Sequence, residues 1–409
     1  MSISVTVIVG AGQAGSELAW SLRQQGYSGR IVLVGAEPTL PYRRPPLSKA
    51  CLLGTAPLET LLLRAQAAYD KQAIECRHDM GVESIDRAGH SVLLDDGTRL
   101  SYDKLALTTG CRARRLTLPG ADKPNVHYLR TVADAERLCD ELLPGKRLVI
   151  IGGGYVGLEV AAVACQKDLH VTVVEALPRV LARVTAPEIS SFYERIHRER
   201  GVELRTNVGV RAMLGEAEVQ SLVLTDGTQL SADLVVVGVG AIANTDLAET
   251  AGLEVANGIV VDRFAVTSDP DIVAAGDCTF HENTFLQRRV RLESVANAVE
   301  QSRIAAASIL GQRRAYSAVP WFWSDQYDLK LQMVGLSEGY DHLVIRGDLT
   351  TNSFSGFYLK AGILICVDCI NRPQDFMVAK KLVGEQVLAD PGALQDPAVP
   401  LKSLLRCAA

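Results

Sequence analysis

The sequence predicts an α/β fold made of two similar Rossmann-like units and a C-terminal α+β domain. The first observation is a glycine-rich stretch, GAGQAG from Gly10, that directly follows the apolar run VTVIV. The second is a repeat of this pattern, GGGYVG from Gly152, which follows the apolar run LVII. The third is a change after residue 315, where two of the three tryptophans lie and strand-like alternation becomes common.

Each glycine loop is predicted to join a strand to a helix. The apolar runs at 5–9 and 148–151 suit strands that are buried on both faces, and further strands are expected at 31–34 and 171–174. Glycine allows the tight turn and the close approach of the backbone to a pyrophosphate at the start of the helix. The alternative is a parallel-sheet protein that has tight glycine turns and binds no nucleotide. That alternative explains one such loop more easily than two. We therefore expect two dinucleotide sites.

An acidic residue after the second strand of each unit is typical of a dinucleotide site, because it holds the ribose hydroxyls. Glu175 lies at the end of the second strand of the later unit, and Glu37 lies just past the corresponding strand of the first. Both are therefore candidate ribose ligands.

A second internal repeat supports the two units. The stretch LLDDGTRLSYDKLALTTG (93–110) matches LVLTDGTQLSADLVVVGVG (222–240), with Gly97 aligned to Gly227. In each copy Asp-Gly is a hairpin turn signal between strand-like runs. After the second unit, a strand at 272–275 is expected to end at Gly276, and a long helical pattern to end at Gly311.

Composition limits the classes of protein that fit. The chain has 409 residues, 48% of them hydrophobic and 22% charged, and no apolar run of eighteen or more, so we expect no membrane span. A strand at the N-terminus leaves no room for a signal peptide, and nine cysteines without framework spacing fit reduced thiols, so a cytoplasmic location is expected. The net charge of −5 argues against binding of nucleic acid.

Six further motifs give the chain a family resemblance. They are PYRRPPLSK (41–49), TTG (108–110), IGGGYVGLE (151–159), AAGDC (274–278), ESVANAVEQ (293–301) and PWFWSDQY (320–327). With them, the whole chain resembles the FAD-dependent, NADH-using ferredoxin reductases of the putidaredoxin reductase and biphenyl dioxygenase reductase types. The resemblance implies a glutathione reductase-like fold and electron flow from NADH through FAD to a 2Fe–2S ferredoxin, which supplies a cytochrome P450 or a Rieske oxygenase.

The resemblance also implies the domain boundaries. A discontinuous FAD-binding domain would comprise 1–115 and 243–318, an NAD-binding domain 116–242, and the C-terminal α+β domain 319–409. The first glycine loop would bind FAD and the second NADH. We expect the protein to be a monomer and no metal to be bound.

The residue roles that the resemblance implies are of three kinds. The cofactor-binding residues would be Gly10, Gly12, Ala14, Glu37, Arg44, Lys49, Val82, Arg130, Asp277, Val295, Trp323, Gly152, Gly154, Gly157, Glu159, Glu175, Arg183 and Gly240. The catalytic residues would be Lys49 and Glu159 near the flavin N5, and Tyr155, whose ring would stack on the flavin until NADH displaces it. Arg303 would face the ferredoxin. One departure is Ala36, where many relatives carry an acid; Glu37 is then the candidate for the adenosine ribose.

Several alternatives stay open at the level of sequence. A disulfide reductase needs a C-x4-C pair after the first unit's second strand, and only Cys51 lies in that region. An NADH oxidase or peroxidase would use one such cysteine. A rubredoxin reductase, or a nicotinamide-sensing flavoprotein like apoptosis-inducing factor, would share the same fold. Cys366 and Cys369 have redox or metal spacing, but three residues apart in a strand they point to opposite faces, which favours buried thiols.

Overall fold

The protein, a computed structural model that describes residues 4–406, divides into two compact units. One unit comprises the described residues of 1–43, 58–112 and 242–320, and the other those of 44–57, 113–241 and 321–409. Along the sequence the chain therefore alternates between the units in six segments. Two short strands, Cys111–Ala113 and Ala241–Ala243, include points where it passes from one unit to the other.

The first unit is built on a five-stranded parallel sheet. Its strands, in spatial order, are Ile272–Ala274, Lys104–Leu107, Val5–Val9, Arg30–Val34 and Ile74–Arg77. Four of these strands are nearly continuous apolar runs, as expected where both faces are buried, whereas the edge strand Ile74–Arg77 is more polar and only partly buried. Since parallel strands end at the same edge of a sheet, the residues after Val9, Leu107 and Ala274 lie close together.

Smaller elements complete the first unit. Two three-stranded sheets comprise Val82–Asp86, Ser91–Leu94 and Arg99–Ser101, and Ile259–Val261, Thr279–Asn283 and Arg288–Val290. The helices are Gln13–Gln24, Leu58–Leu61, Gln66–Lys71, Asp246–Thr250 and Val295–Ile309. Helices Gln13–Gln24 and Val295–Ile309 pack on the same face of the parallel sheet, where Leu18, Leu22 and Ala305 are fully buried.

The second unit contains a matching parallel sheet. Its strands, in spatial order, are Glu203–Arg205, His170–Val174, Arg147–Ile151, Leu234–Val237 and Val126–Tyr128. A three-stranded sheet of Val210–Leu214, Ser221–Leu224 and Gln229–Ser231 accompanies it. The α-helices of this part are Val132–Glu141, Tyr155–Gln166 and Pro187–Glu199, and a 3-10 helix, Pro45–Ser48, comes from the segment 44–57.

The C-terminal part of the second unit is a five-stranded antiparallel sheet. Its order is Trp321–Gln326, Leu329–Gly335, Ile363–Ile370, Phe354–Lys360 and His342–Gly347. Helices Pro373–Gly384 and Pro391–Gln395 and the 3-10 helix Leu401–Arg406 follow it. The sheet shares a core with helix Pro187–Glu199, in which Phe192 meets Phe354 edge to face, with ring centroids 4.9 Å apart.

The α/β class with two Rossmann-like units and a C-terminal α+β part is confirmed. The predicted strand boundaries agree with the observed ones to within a residue: the strand expected at 31–34 is Arg30–Val34, and the one at 272–275 is Ile272–Ala274. The division into three domains stays a prediction. Within residues 4–406 no helix combines the length and apolarity that crossing a lipid bilayer requires.

Candidate functional site

The first glycine loop lies against the end of strand Lys104–Leu107. Gly10 has φ of +110°, and a Cβ atom on it would lie 2.2 Å from the carbonyl oxygen of Thr108. The Thr108 hydroxyl donates a 2.8 Å hydrogen bond to the Gly10 carbonyl, which fixes the loop to the TTG motif. A Cβ on Gly12, in contrast, would meet no described atom within 4 Å, so the loop is open on that side.

The AAGDC motif and the helix Val295–Ile309 meet the first loop. A Cβ atom on Gly276 would lie 3.0 Å from the Ala14 Cβ, and the Ser302 hydroxyl donates a 2.8 Å hydrogen bond to the Ala14 carbonyl. Asp277 follows Gly276 and accepts a hydrogen bond from the Cys111 thiol at 3.3 Å. These contacts bring Gly276 and the helix Val295–Ile309 against the loop.

Glu37 and Val82 lie near one another at another part of the same sheet edge. The backbone N–H groups of Asp79 and Met80 donate to the carbonyls of Glu37 and Gly35, which brings the start of strand Val82–Asp86 close to Glu37. The Glu37 carboxylate accepts a 2.6 Å hydrogen bond from the Tyr42 hydroxyl.

The second glycine loop repeats the geometry of the first. Gly152 has φ of +108°, and a Cβ on it would lie 2.4 Å from the Gly238 carbonyl oxygen. Gly157 lies so close to the strand end that a Cβ there would be 2.2 Å from the Gly152 carbonyl. Gly154 faces open space, since a Cβ there would meet no described atom within 4 Å.

Glu175 is held against this loop. Its carboxylate accepts hydrogen bonds from the backbone N–H groups of Gly153, at 2.6 Å, and Leu177, at 2.8 Å. Gly240 follows the neighbouring strand Leu234–Val237, so it lies at the same edge of the sheet. Arg183 is exposed in the connection before helix Pro187–Glu199.

Glu159 is the centre of a buried polar cluster on the second turn of helix Tyr155–Gln166. The residue is only 4% exposed, and three side chains donate to its carboxylate. The Lys49 ammonium is 2.9 Å from Oε1, the Ser324 hydroxyl 2.6 Å from Oε1, and the Ser48 hydroxyl 2.5 Å from Oε2. A buried carboxylate with a cation and two hydroxyl donors is stabilised as an anion.

Tyr155 and Trp323 both belong to the second unit. The Tyr155 ring is 5.0 Å from the Phe322 ring, its hydroxyl donates to the Met333 sulfur, and burial raises its pKa well above the usual value. Trp323 is half-buried and stacks on Trp321 at 5.6 Å. In the same unit the Arg44 guanidinium donates a 2.7 Å hydrogen bond to the carbonyl of Arg130.

Arg303 lies on helix Val295–Ile309 with 45% of its side chain exposed. Its Nε is 3.2 Å from the carboxylate of Glu17, and Nη1 is 2.9 Å from that of Glu300. Glu17 is buried and also pairs with Arg64 at 3.4 Å. The Arg303 charge is therefore partly compensated within the first unit.

The eight described cysteines are all free thiols; Cys407 lies outside the described residues. Cys51 is half-buried, and burial, together with the Cys139 thiol and the Glu136 carboxylate, raises its pKa. Cys366 and Cys369 are both buried. Cys366 belongs to the core shared with helix Pro187–Glu199. Burial raises the pKa of Cys369, which is also affected by Ser355 and Asp375 outside that core, as expected if the two thiols point to opposite faces of the strand.

Both glycine loops fit a bound pyrophosphate. Helices Gln13–Gln24 and Tyr155–Gln166 begin directly after the loops, and no side chain within residues 4–406 caps either of them. Their first N–H groups have no partner within the helix and attract an anion. Beside the first loop, the Gln301 side-chain nitrogen is buried and has no hydrogen-bond partner among the described residues, so it can donate to a ligand.

The sequence analysis singled out the glycines and Glu175, and the family resemblance Lys49 and Glu159, but neither pointed to Ser48 or Ser324. Both serines lie inside motifs that were singled out, PPLSK and PWFWSDQY. Ser48 and Ser324 are adjacent in sequence to Lys49 and Trp323, and this position could have identified them as candidate site residues. Their contact with Glu159 joins residues 111 and 165 positions apart, which no local pattern reveals.

Comparison with known proteins agrees with this geometry. Residues 4–302 match the model of the pyridine nucleotide-disulphide oxidoreductase family, and residues 321–405 match the reductase C-terminal domain. The chain is 46% identical over 408 residues to putidaredoxin reductase of Pseudomonas putida, with 98% of this chain and 97% of the relative covered. It is 42% identical over 406 residues to the ferredoxin–NAD⁺ reductase component of the anthranilate 1,2-dioxygenase system of Burkholderia cepacia, with 99% and 100% covered.

Among solved structures, the covalent complex of putidaredoxin reductase with putidaredoxin matches with a TM-score of 0.96 and 45% identity, covering 100% of this chain and 99% of that one. The similarity thus extends over both glycine loops, the Glu159 cluster and the C-terminal sheet. The chain therefore belongs to the pyridine nucleotide-disulphide oxidoreductase family and, within it, to the ferredoxin reductases of the putidaredoxin reductase type.

Proposed function

We propose that this protein is an FAD-dependent ferredoxin reductase that takes electrons from NADH and delivers them to a 2Fe–2S ferredoxin, which supplies a cytochrome P450 or Rieske oxygenase. The observation that carries the proposal is the pair of open glycine loops in a chain that matches such reductases over its full length. When bound, FAD accepts a hydride equivalent from NADH and releases the electrons one at a time.

We assign FAD to the first glycine loop. The loop residues Gly10, Gly12 and Ala14 would bind the pyrophosphate, with Asp277 as hydrogen-bond acceptor for the ribityl hydroxyls. Val295 begins an α-helix, so its backbone N–H would stabilise negative charge on the reduced flavin. Further ligands would be the carboxylate of Glu37, the backbone of Val82, and side chains of Arg44, Lys49, Arg130 and Trp323.

We assign NADH to the second loop. Gly152, Gly154 and Gly157 would bind its pyrophosphate and Glu175 its ribose, and Arg183 and Gly240 would be further ligands. Glu159 would contact the nicotinamide carboxamide, held by Lys49, and Tyr155 would move when the nicotinamide enters. In this scheme the side chains position the reactants and supply charge, and none forms a covalent bond.

The proposal includes the three-domain organisation, with FAD-binding residues 1–115 and 243–318, NAD-binding residues 116–242 and the C-terminal domain 319–409. It also includes a monomer in the cytoplasm. Sedimentation velocity of the flavin-loaded protein tests the monomer, and a dimer at micromolar concentration would contradict it.

The function is tested by adding NADH to the flavin-loaded protein under anaerobic conditions. We expect the flavin absorbance to bleach, and cytochrome c reduction to become fast only when a 2Fe–2S ferredoxin is supplied. Rubredoxin is tested in parallel, since a rubredoxin–NAD⁺ reductase of Pseudomonas putida is 40% identical over 369 residues. Faster reduction of rubredoxin than of any ferredoxin, or rapid oxygen consumption without either carrier, would contradict the proposal.

Replacing Cys51 separates this function from that of an oxidase or peroxidase. A redox-active cysteine needs a lowered pKa, and the pKa of Cys51 is raised. We therefore expect Cys51→Ser to change NADH-dependent ferricyanide reduction by less than about twofold, a difference of about 0.4 kcal/mol. A loss of more than about tenfold, about 1.4 kcal/mol, with FAD still bound would favour the oxidase or peroxidase.

A substitution at Arg303 tests whether the surface around it binds the ferredoxin. Glutamate at this position would repel Glu17 and Glu300, so Arg303→Gln is the cleaner change. We expect ferredoxin-dependent turnover at low salt to fall about threefold to tenfold and its salt dependence to weaken, because a charge at an interface mainly affects association rate. Ferricyanide reduction should not change. Arg211→Gln, at an exposed arginine of the second unit, is the control; equal turnover of both variants would place docking elsewhere.

A further inference from the structure

A buried chain of hydrogen bonds leads from Glu159 to helix Pro187–Glu199. The Ser324 hydroxyl, which contacts Glu159, is 3.3 Å from the Gln326 side-chain nitrogen. The Gln326 side-chain oxygen is 2.9 Å from His197 Nε2, and the Tyr327 hydroxyl is 3.1 Å from His197 Nδ1. Ser324 and His197 are 0% exposed and Gln326 is 1% exposed, so water does not compete for the bonds among these three residues.

The direction of every bond in this chain follows from Glu159. An ionised carboxylate only accepts, so Ser324 must donate its single proton to it and can only accept from Gln326. The amide nitrogen of Gln326 therefore faces Ser324, and its oxygen faces His197. His197 then carries its proton on Nε2, and Nδ1 accepts from the Tyr327 hydroxyl.

Local structure explains why these side chains meet. Ser324 and Gln326 are two residues apart on strand Trp321–Gln326, so both side chains point to the same face. His197 lies in the last turn of helix Pro187–Glu199. Trp323 and Asp325 alternate to the other face, where Lys330 and Asn371 line an open surface pocket with them.

Because His197 is neutral at pH 7, the donor–acceptor direction of these hydrogen bonds does not change. Burial lowers the pKa of His197 to about 4, although its bond to Gln326 favours the charged form. The imidazole is therefore neutral at pH 7 and offers one donor and one acceptor. All donors in the chain then point toward the Glu159 carboxylate, and bonds aligned in this way strengthen one another.

We propose that Gln326 and His197 are positioning residues that hold Glu159, through Ser324, in the orientation that NADH-dependent reduction of the flavin requires. The inference rests on the proposed function, because Glu159 matters to that reaction only if the nicotinamide binds beside it. Lys49 and Ser48 supply charge and one further bond, but neither belongs to the rigid strand on which Ser324 and Gln326 lie.

The test is a double-mutant cycle between Gln326→Leu and Glu159→Ala, read by stopped-flow reduction of the flavin at saturating NADH. We expect Gln326→Leu to slow reduction about tenfold in the wild-type background, equivalent to about 1.4 kcal/mol. In the Glu159→Ala background it should add less than about twofold, since Ser324 then has no acceptor at residue 159 and the two changes remove one shared interaction. Additive effects, or a wild-type rate in Gln326→Leu, would overturn the proposal.

Two pairs of variants control for structural damage. Ser355→Ala removes a different buried polar group from this sheet, a hydroxyl that bonds to Asp375 rather than to the hydrogen-bond chain, so its reduction rate should equal that of the wild type. His197→Gln keeps a donor toward Gln326 and should be slowed less than His197→Leu. If the two His197 variants were equally slow, or Ser355→Ala as slow as Gln326→Leu, the effect would be one of packing and the proposal would fail.

The tautomer of His197 gives a measurement that does not depend on turnover. In nitrogen-15 NMR of histidine-labelled protein, with His197→Gln used to assign the signal among the seven histidines, we expect a proton on Nε2 between pH 6 and 8. A proton on Nδ1 would reverse the chain and overturn the inference, even if Gln326→Leu failed to fold. If NADH did not reduce the wild-type flavin, the proposed function would fail instead, while the NMR result would still describe the chain.

Discussion

We expect kcat/KM for NADH to exceed that for NADPH by about thirtyfold to a thousandfold. Glu175 is fixed at the second glycine loop by the N–H groups of Gly153 and Leu177, and the residue after it is Ala176 rather than an arginine. The carboxylate would bind a ribose 2′-hydroxyl but repel a 2′-phosphate. Loss of that bond together with like-charge repulsion costs on the order of 2–4 kcal/mol.

Steady-state ferricyanide reduction with each coenzyme measures this preference. Glu175→Ala should reduce the preference for NADH mainly by lowering kcat/KM for NADH, because alanine adds no cation that would bind the 2′-phosphate of NADPH. Glu203→Gln is a control, because Glu203 is an exposed carboxylate on an outer strand of the same sheet and pairs with Arg205 rather than with the glycine loop. Comparable kcat/KM values for NADH and NADPH in the wild type would refute the role assigned to Glu175.

Replacing Glu159 with alanine should slow flavin reduction by NADH on the order of a hundredfold, with a much smaller effect on reoxidation by ferredoxin. Misplacement of a reactant by about 1 Å has a kinetic effect of this size. The change also leaves the Ser48 and Ser324 hydroxyls and the Lys49 ammonium without their shared acceptor. Unsatisfied buried groups should lower the free energy of unfolding by about 1–3 kcal/mol.

Stopped-flow traces of the two half-reactions, together with denaturant unfolding, separate these effects. Glu159→Gln keeps the shape and removes the charge, and exposed Glu188→Ala controls for the loss of a carboxylate elsewhere in the unit. If reoxidation were slowed more than reduction, Glu159 would not act at the nicotinamide. If stability fell while both rates were unchanged, the cluster would be structural.

Much of this fold could be predicted because its signals are local. The apolar runs before Gly10 and Gly152 predict buried parallel strands, and glycine is required where φ is positive and the next strand is in contact. The helix that begins at Val295 was also predicted, with Gly311 directly after its C-cap. Such features depend on fewer than about twenty consecutive residues, within which periodicity and turn chemistry operate.

The polar cluster at Glu159 could not be predicted in the same way. Its members come from residue 48, residue 159 and residue 324, and no spacing rule connects them. No sequence signal indicates that the segment 44–57 belongs to the second unit, because PYRRPPLSK follows the first unit's second strand without a break in composition. Only tertiary contacts bring these residues together.

The six alternating segments of the two units have a consequence for synthesis of the chain. The central strand Val5–Val9 is among the first parts to leave the ribosome, but its sheet lacks the edge strand Ile272–Ala274 until about two-thirds of the chain have been made. At about 5–20 residues per second, that delay lasts tens of seconds. During this time apolar strands are without their final neighbours, so the nascent protein should depend on chaperones more than a protein whose domains are consecutive in sequence.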